Sequence, residues 1–334
     1  MKYVKLGNSG LEVSPICLGC MSFGEVTKGF HQWVLDKKSS AFLIRKALDL
    51  GINFFDTANC YSNGTSEEFL GWALNEYAKR DEVVVATKVG IPITPGPNKG
   101  GLSRKAILVE IDNSLTRLNM DYVDLYIIHR WDDHTPIEET MEALHDLVKA
   151  GKVRYLGASK MDAWQFEKAQ YVAEKHNFTK FVSMQNHYNL IFREDEREMI
   201  PLCIDQKVAS TPYSPLAGGR LARNWEANTL RYNTDQAARI KYDGSRASDI
   251  KIVERVGELS QKYKVPPAQI ALAWLFAKEP VVSPVIGATK TSHIDDAVDS
   301  LGIKLMDTEI AYLEEPYLPH ETDLLERSMF MKKE

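Results

Sequence analysis

The sequence has few cysteines, no excess of positive charge and no long apolar run. Its 334 residues carry a formal net charge of -5 and give a pI near 6.0. Because nucleic-acid binding needs a basic surface and no basic stripe occurs, we expect no nucleic-acid partner. No stretch approaches the ~20 apolar residues that cross a bilayer, and the N-terminus lacks the apolar core of a signal peptide. We therefore expect a cytoplasmic protein without membrane contact.

The four cysteines are at positions 17, 20, 60 and 203. Cys17 and Cys20 form a Cys-x-x-Cys pair, a spacing that some metal and redox sites use. The pair lies in the apolar run 15–20, and no second pair of ligands follows it. We therefore interpret both thiols as part of a buried strand in a protein whose cysteines stay reduced, and we predict no metal site.

Apolar strand-like runs alternate with helix-like segments along the chain. The turn Gly7-Asn8-Ser9-Gly10 predicts an N-terminal β-hairpin over residues 3–13. Eight strands are then predicted, over residues 16–20, 52–57, 83–89, 123–129, 153–159, 181–185, 208–213 and 283–286. Helices are predicted over residues 39–50, 66–79, 103–118, 136–150, 162–176, 195–206, 249–264, 267–278 and 292–300, and from 307 onward. Ser39 or Ser40 is the predicted N-cap of the first helix.

The alternation indicates an α/β protein with a parallel sheet whose strands are connected by helices. The strand-like runs are apolar on both faces, as in strands that are covered on both sides. Eight such units in a chain of this length favour a closed (β/α)8 barrel, a TIM barrel, over an open sheet. The hairpin and extra C-terminal helices are additions to it. No linker-like stretch divides the chain, so we predict a single domain over residues 1–334.

Two connections are longer than a bare barrel needs. They span residues 25–38 and 218–248, and each follows a predicted strand. Both therefore belong at the C-terminal face of the barrel, where barrel enzymes have their active sites. The first contains His31 and Trp33, and the second contains Trp225. We expect both loops to cover a bound ligand.

Ionisable side chains stand at the ends of three neighbouring predicted strands. Asp56 ends one strand and Tyr61 follows it, while Lys88 and His129 end the next two. Parallel strands bring their C-terminal ends together, so these four groups are predicted to meet. A nearby ammonium lowers the pKa of a phenol, and a carboxylate keeps the ammonium charged and in place. The set therefore predicts that Tyr61 is a general acid for a carbonyl oxygen that His129 hydrogen-bonds.

Carbonyl reduction also requires a hydride, which no side chain provides. A nicotinamide or a flavin must supply it. No G-x-G-x-x-G follows any predicted strand, so a Rossmann module is not supported.

The motifs at the strand ends resemble those of one enzyme superfamily. In order, they are Asp56-Thr57-Ala58, Tyr61, Gly64, Ser66-Glu67-Glu68, Leu70-Gly71, Ala86-Thr87-Lys88, Ile128-His129-Arg130 and residues 214–221. They make the chain similar to the aldo-keto reductase superfamily, and within it to bacterial reductases of the branch that includes potassium-channel β subunits and aryl-alcohol dehydrogenases. The resemblance implies an NADPH-dependent reductase of small aldehydes or ketones. In such a reductase, Tyr61 would be the acid/base, Lys88 and Asp56 would tune the acidity of Tyr61, and His129 would orient the substrate carbonyl.

The resemblance also implies a set of contacts with NADPH. Ser159 and Gln185 would hold the carboxamide, and Tyr213 would stack on the nicotinamide ring. The remaining contacts, from the pyrophosphate to the adenine, would be made by Ser214, Leu216, Gly218, Arg220, Gly287, Thr289, Lys290, His293 and Asp296. Lys290 would meet the 2′-phosphate, and a cation there favours NADPH over NADH.

Two other functions stay open on the sequence alone. A protein like the channel β subunits would bind NADPH as a sensor and turn over little substrate. A phosphosugar enzyme that forms 1-deoxyxylulose 5-phosphate would use basic groups near the pocket, such as Arg130 and Arg220. The residues do not identify the physiological substrate or give Cys60 a role, and an oligomer is possible.

Overall fold

The computed structural model describes residues 1–321 apart from residues 30, 224 and 226–228. The predicted domain runs to residue 334, so its last part, residues 322–334, lies outside the described residues, as do those few positions of the two long loops. The chain opens with the predicted antiparallel hairpin, formed by β1 (Val4–Lys5) and β2 (Glu12–Val13).

Eight parallel strands form one sheet. They are β3 (Cys17–Gly19), β4 (Phe54–Asp56), β5 (Val84–Val89), β6 (Val123–Ile128), β7 (Val153–Ser159), β8 (Phe181–Gln185), β9 (Ala209–Ser210) and β10 (Val285–Gly287). From β3 to β9, strands that are neighbours in the chain pair with each other, and β10 pairs with β3. The remaining edges are joined by hydrogen bonds from Ser210 N to Pro280 O (3.0 Å) and from Val285 N to Pro212 O (2.8 Å). The prediction of a (β/α)8 barrel is confirmed.

Helices surround the barrel. They are α1 (Lys37–Asp49), α2 (Thr65–Tyr77), α3 (Arg104–Leu118), α4 (Ile137–Lys149), α5 (Ala163–His176), α6 (Met199–Asp205), α7 (Leu230–Thr234), α8 (Gln236–Tyr242), α9 (Arg246–Tyr263), α10 (Pro267–Phe276), α11 (Thr291–Ser300) and α12 (Asp307–Glu314). Consecutive helices from α1 to α5 pack on each other, and α11 packs on α1. Among the described residues, no helix combines the length and the apolar character needed to cross a membrane.

The helices differ from the predicted ones in several details, and α6 begins at Met199 instead of near residue 195. Helix α1 begins at Lys37 because Asp36, and not Ser39 or Ser40, is its N-cap: the Asp36 carboxylate accepts a hydrogen bond from Ser39 N at 2.8 Å. Helices α7 and α8 lie inside the second long loop and are not among the predicted elements. They are short, so no apolar periodicity marks them.

The hairpin fills the N-terminal end of the barrel. Leu6 and Val13 are buried there and pack in one cluster with the inward-facing side chains of Cys17, Phe54 and Leu125. Cys17 thus lies in a buried strand, as predicted, and its thiol is free. Because apolar side chains occupy this end, the polar groups of the strands are left at the opposite, C-terminal end.

Candidate functional site

The C-terminal ends of β4, β5 and β6 bring the four predicted groups together. Lys88 Nζ donates hydrogen bonds to Asp56 Oδ2 at 2.5 Å, to Thr57 O at 2.8 Å and to the Tyr61 hydroxyl oxygen at 3.1 Å. The His129 ring lies edge-on to the Tyr61 ring, with centroids 5.9 Å apart. Tyr61 is half-buried and the other three side chains are buried. An ammonium has only donors, so the phenol oxygen accepts from Lys88 and keeps its own proton for another acceptor.

A tight turn after β4 places Tyr61. The turn has positive φ at Ser62 (46°) and at Asn63 (51°), a left-handed conformation that is uncommon outside glycine. Thr65 Oγ1 holds the turn by donating to Ser62 O at 2.8 Å. Gly24, the residue directly before the first long loop, packs so close that a Cβ there would lie 2.4 Å from Ser62 Cβ. The chain that leads into the first long loop therefore helps to fix the position of the phenol.

The Asp56 carboxylate has a donor on each oxygen. Lys88 occupies Oδ2, and Gln185 Nε2 donates to Oδ1 at 2.9 Å. Ser159 Oγ in turn donates to Gln185 O at 2.8 Å. Sequence reasoning assigned Ser159 and Gln185 to the cofactor and missed the contact with Asp56, because no motif links residues this far apart in the chain. Pairing matters here, since an uncompensated buried charge costs several kcal/mol.

Burial and charge act in opposite directions on the Tyr61 phenol. Burial raises the pKa of Tyr61, the Lys88 ammonium lowers it and the Asp56 carboxylate raises it; the net pKa lies above its ordinary value. The expected lowering of the Tyr61 pKa by Lys88 is present, but the effect of burial outweighs it. For Lys88, burial lowers the pKa, but Asp56 and Tyr61 outweigh it and raise the pKa. The site therefore holds a protonated phenol beside a charged ammonium at neutral pH.

His129 is a neutral imidazole at neutral pH. Burial, followed by the charges of Lys160, Lys88 and Arg130, lowers the pKa of His129 well below its ordinary value. A neutral imidazole has one N–H donor and one nitrogen acceptor, so its tautomer decides which nitrogen can donate to a ligand.

Tyr213 stands just after β9 in a stack of rings. The His187 ring lies parallel to it, with centroids 5.1 Å apart and planes 11° apart, and Phe192 stacks on His187 at 3.9 Å. The ammonium groups of Lys160 and Lys241 lie 5.4 Å and 4.5 Å from the centre of the Tyr213 ring. These contacts fix the plane of the Tyr213 ring, which by the resemblance would stack on the nicotinamide.

The backbone after Tyr213 turns sharply. Positive φ angles occur at Ser214, Ala217, Gly218 and Gly219. Turns of this kind can form a concavity that binds anions. Here the N–H groups of Ala217 and Gly219 donate to Ser214 O at 2.9 Å and to Leu216 O at 2.8 Å. Leu216, one of the predicted contacts, lies half-buried within the same segment.

Arg220 ends this segment as a buried cation. Its Nη2 donates to Asp243 Oδ1 at 2.5 Å. Its Nε is also buried and has no hydrogen-bond partner among the described residues. Three aromatic rings lie within 6 Å of its guanidinium, those of Trp225, Tyr232 and Tyr242. An unused, buried donor on a cation fits a phosphate of a bound nucleotide.

The predicted adenosine contacts follow β10. Gly287 ends the strand, and Thr289 N donates to His293 Nδ1 at 3.3 Å. Lys290 precedes α11 and is exposed. Asp296 has one oxygen already engaged, since Oδ1 accepts from Gln269 Nε2 at 3.0 Å.

Two arginines that the sequence did not point to, Arg223 and Arg231, lie near the predicted adenosine contacts. Burial is the largest cause that lowers the pKa of His293. The charges of Lys290, Arg223 and Arg231 lower this pKa as well, and the charge of Asp296 raises it. A Cβ at Gly287 would lie 4.0 Å from Arg231 Nη1. The only signal for them in the sequence is the number of arginines in the second long loop. That number does not predict the direction of their side chains.

The two long loops touch each other. The Arg231 guanidinium lies 4.2 Å from the centre of the Trp33 ring, and His31 packs on the same ring at 4.7 Å. A cation–π contact of this kind contributes roughly 0.5–2 kcal/mol. The loops thus meet above the strand ends, while their role in covering a ligand stays a prediction. Within the described part of the chain, no three His, Cys, Asp or Glu side chains are grouped to hold a metal ion.

Comparisons with known proteins all point to the same enzyme family. The sequence model described as the aldo/keto reductase family matches residues 15–317. The chain is 44% identical to the versiconal hemiacetal acetate reductase of Aspergillus parasiticus, over 96% of this chain and 98% of that protein. It is 43% identical to a putative aryl-alcohol dehydrogenase of Schizosaccharomyces pombe, over 95% and 96%. It is also 43% identical to an aldo-keto reductase of Alternaria alternata, over 94% and 91%. These relatives are fungal, so the expected likeness to bacterial members is not borne out, whereas the likeness to aryl-alcohol dehydrogenases is.

Proposed function

Because this chain belongs to the aldo/keto reductase family, whose members are oxidoreductases with nicotinamide cofactors, we propose that it is an NADPH-dependent reductase of small aldehydes or ketones. The observation that carries the proposal is the position of Lys88 Nζ between Asp56 and the Tyr61 hydroxyl. This contact leaves a protonated phenol at the rim of the barrel with its proton directed away from the lysine. Tyr61 is thereby the donor for the oxygen of a substrate carbonyl.

Proton transfer from Tyr61 is the step that these side chains perform. As negative charge develops on the carbonyl oxygen, the phenol gives it a proton and becomes a phenolate. The Lys88 ammonium already touches the phenol oxygen and stabilises the phenolate, and Asp56 keeps the ammonium charged and in position. A positioned general acid contributes roughly 10²–10⁴ in rate. His129 supplies a second hydrogen bond to the same carbonyl oxygen and so orients the substrate.

The residues present fit a nicotinamide dinucleotide. When bound, the reduced cofactor supplies the hydride that no side chain can provide. We assign Tyr213 to its ring, and Ser159 and Gln185 to its carboxamide. Arg220 Nε, which has no hydrogen-bond partner within the described part of the chain, supports the pyrophosphate assignment. The residues that would complete the contacts are Ser214, Leu216, Gly218, Gly287, Thr289, Lys290, His293 and Asp296.

Turnover with a carbonyl panel tests the proposed function. We expect purified protein to consume NADPH in the presence of aromatic aldehydes, since one of the relatives is named an aryl-alcohol dehydrogenase. Loss of NADPH absorbance is followed for aromatic and aliphatic aldehydes, for ketones and for ribulose 5-phosphate. Tight NADPH binding without turnover on any carbonyl would instead indicate a sensor. Conversion of ribulose 5-phosphate alone would indicate phosphosugar chemistry.

The charge of Lys290 tests the preference for NADPH. We expect Lys290→Ala to raise the Kd for NADPH about tenfold and to leave the Kd for NADH within about twofold, because only NADPH has the 2′-phosphate. Cofactor binding is followed by quenching of tryptophan fluorescence. Lys304→Ala, at another exposed lysine beyond α11, is the matched control and should change neither Kd. Equal weakening of both nucleotides by Lys290→Ala would contradict the assignment.

A further inference from the structure

Cys60 has no role in the proton transfer described above, yet it contacts His129, which orients the substrate in that step. Its Sγ lies 3.7 Å from His129 Nδ1, a hydrogen-bonding distance for sulfur. The contact joins the turn after β4 to the residue that directly follows β6. Cys60 is half-buried, and its thiol is not in a disulfide. On one side of it in the chain, Asn59 Nδ2 is anchored to Ile91 O at 3.1 Å; on the other, Tyr61 is anchored to Lys88.

Both groups in this contact are neutral at neutral pH. Burial raises the pKa of Cys60 to about 11, against the opposing charges of Lys88 and Lys160. Burial likewise keeps His129 uncharged. Between a neutral thiol and a neutral imidazole, either the S–H donates to Nδ1 or an Nδ1–H donates to the sulfur. The imidazole nitrogen is the stronger acceptor and thiol sulfur is a weak one, so the first arrangement is favoured.

We propose that Cys60 is a positioning residue whose S–H donates to His129 Nδ1 and thereby fixes the His129 proton on Nε2. This inference rests on the proposed reductase function, because it is the Nε2–H that then serves as donor to the substrate carbonyl oxygen. In the other tautomer, Nε2 presents a lone pair to that oxygen, so the hydrogen bond is lost and two acceptors face each other. A donor on the far nitrogen is a common way to select the tautomer of a working histidine.

The tautomer of His129 is measured directly by NMR of protein labelled with ¹⁵N-histidine, without substrate or cofactor. The His129 signals are assigned with His129→Asn. We expect the wild-type protein to show the Nε2–H tautomer, Cys60→Ala to show a mixture of both, and Cys60→Ser to restore Nε2–H because serine keeps a donor at this position. Cys203→Ala, at a free thiol elsewhere in the fold, should leave the tautomer unchanged.

Steady-state kinetics give the second readout. Loss of one weak hydrogen bond predicts that Cys60→Ala lowers kcat about fivefold, that Cys60→Ser recovers most of it, and that the Kd for NADPH does not change. A wild-type Nδ1–H tautomer, or a tautomer that Cys60→Ala does not alter, overturns the proposal. The NMR experiment does not depend on turnover. If the protein turned over no carbonyl but its tautomer followed residue 60, the reductase function would fail and the positioning contact would stand.

Discussion

Tyr61→Phe is expected to lower kcat by about 10³-fold while the Kd for NADPH stays within about twofold. The substitution removes the only proton that the phenol can deliver to a carbonyl oxygen. It leaves the ring, its edge-on contact with His129 and the tight turn in place. Lys88 still donates to Asp56 and to Thr57 O, so the buried charges stay paired and the fold is retained.

Three measurements make this result specific. Steady-state turnover reports the acid, fluorescence titration reports the cofactor site, and thermal unfolding reports the fold. Tyr171→Phe, which removes the hydroxyl of an exposed tyrosine on α5, is the matched control and should have wild-type kinetics. If Tyr61→Phe kept the full rate, the assignment of the acid would be wrong, whatever the fate of the other residues.

Lys88→Met is expected to damage both activity and stability. Without the ammonium, the phenolate left by proton transfer has no counter-charge, and we expect kcat to fall by about 10²–10⁴. The Asp56 carboxylate is also left buried without its cation, which costs about 3–5 kcal/mol in the free energy of unfolding. Its second oxygen keeps the Gln185 donor, which does not replace the lost charge.

A double substitution separates the two losses. Adding Asp56→Asn to Lys88→Met removes the orphaned charge, so urea unfolding should recover most of the stability while turnover stays low. Lys180→Met breaks an ion pair with Glu174 in which both side chains are largely exposed, and it should cost at most about 1 kcal/mol. Lys88→Met with wild-type stability would show that the buried pair is not coupled, and wild-type turnover would remove Lys88 from the mechanism.

The barrel could be predicted from the sequence because its signals are local. Strand ends follow directly from where an apolar run stops, so Asp56, Lys88 and His129 could be placed on one rim before any contact was known. Strands that are buried on both faces leave little choice of fold once eight of them alternate with helices. The limits of the elements were less certain, as the cap at Asp36 shows.

The missed features depend on contacts between distant parts of the chain. The Gln185 amide reaches Asp56 across the barrel, and Arg231 reaches Trp33 from another loop. Nothing in the spacing of residues encodes those meetings. The net pKa of Tyr61 was missed for a related reason. The sequence shows that a lysine is near, but it does not show how far the phenol is buried, and burial is the larger effect on its pKa.

The amide of Gln185 has a practical consequence for redesign. In the proposed assignment it belongs to the cofactor pocket, yet it also donates to the carboxylate that holds Lys88 beside Tyr61. An engineer who changes position 185 to alter the carboxamide site would also disturb the proton donor three hydrogen bonds away, through Asp56 and Lys88. Binding of the nicotinamide carboxamide and acid strength are therefore not separable at this position, and libraries that vary it should allow Asp56 to vary as well.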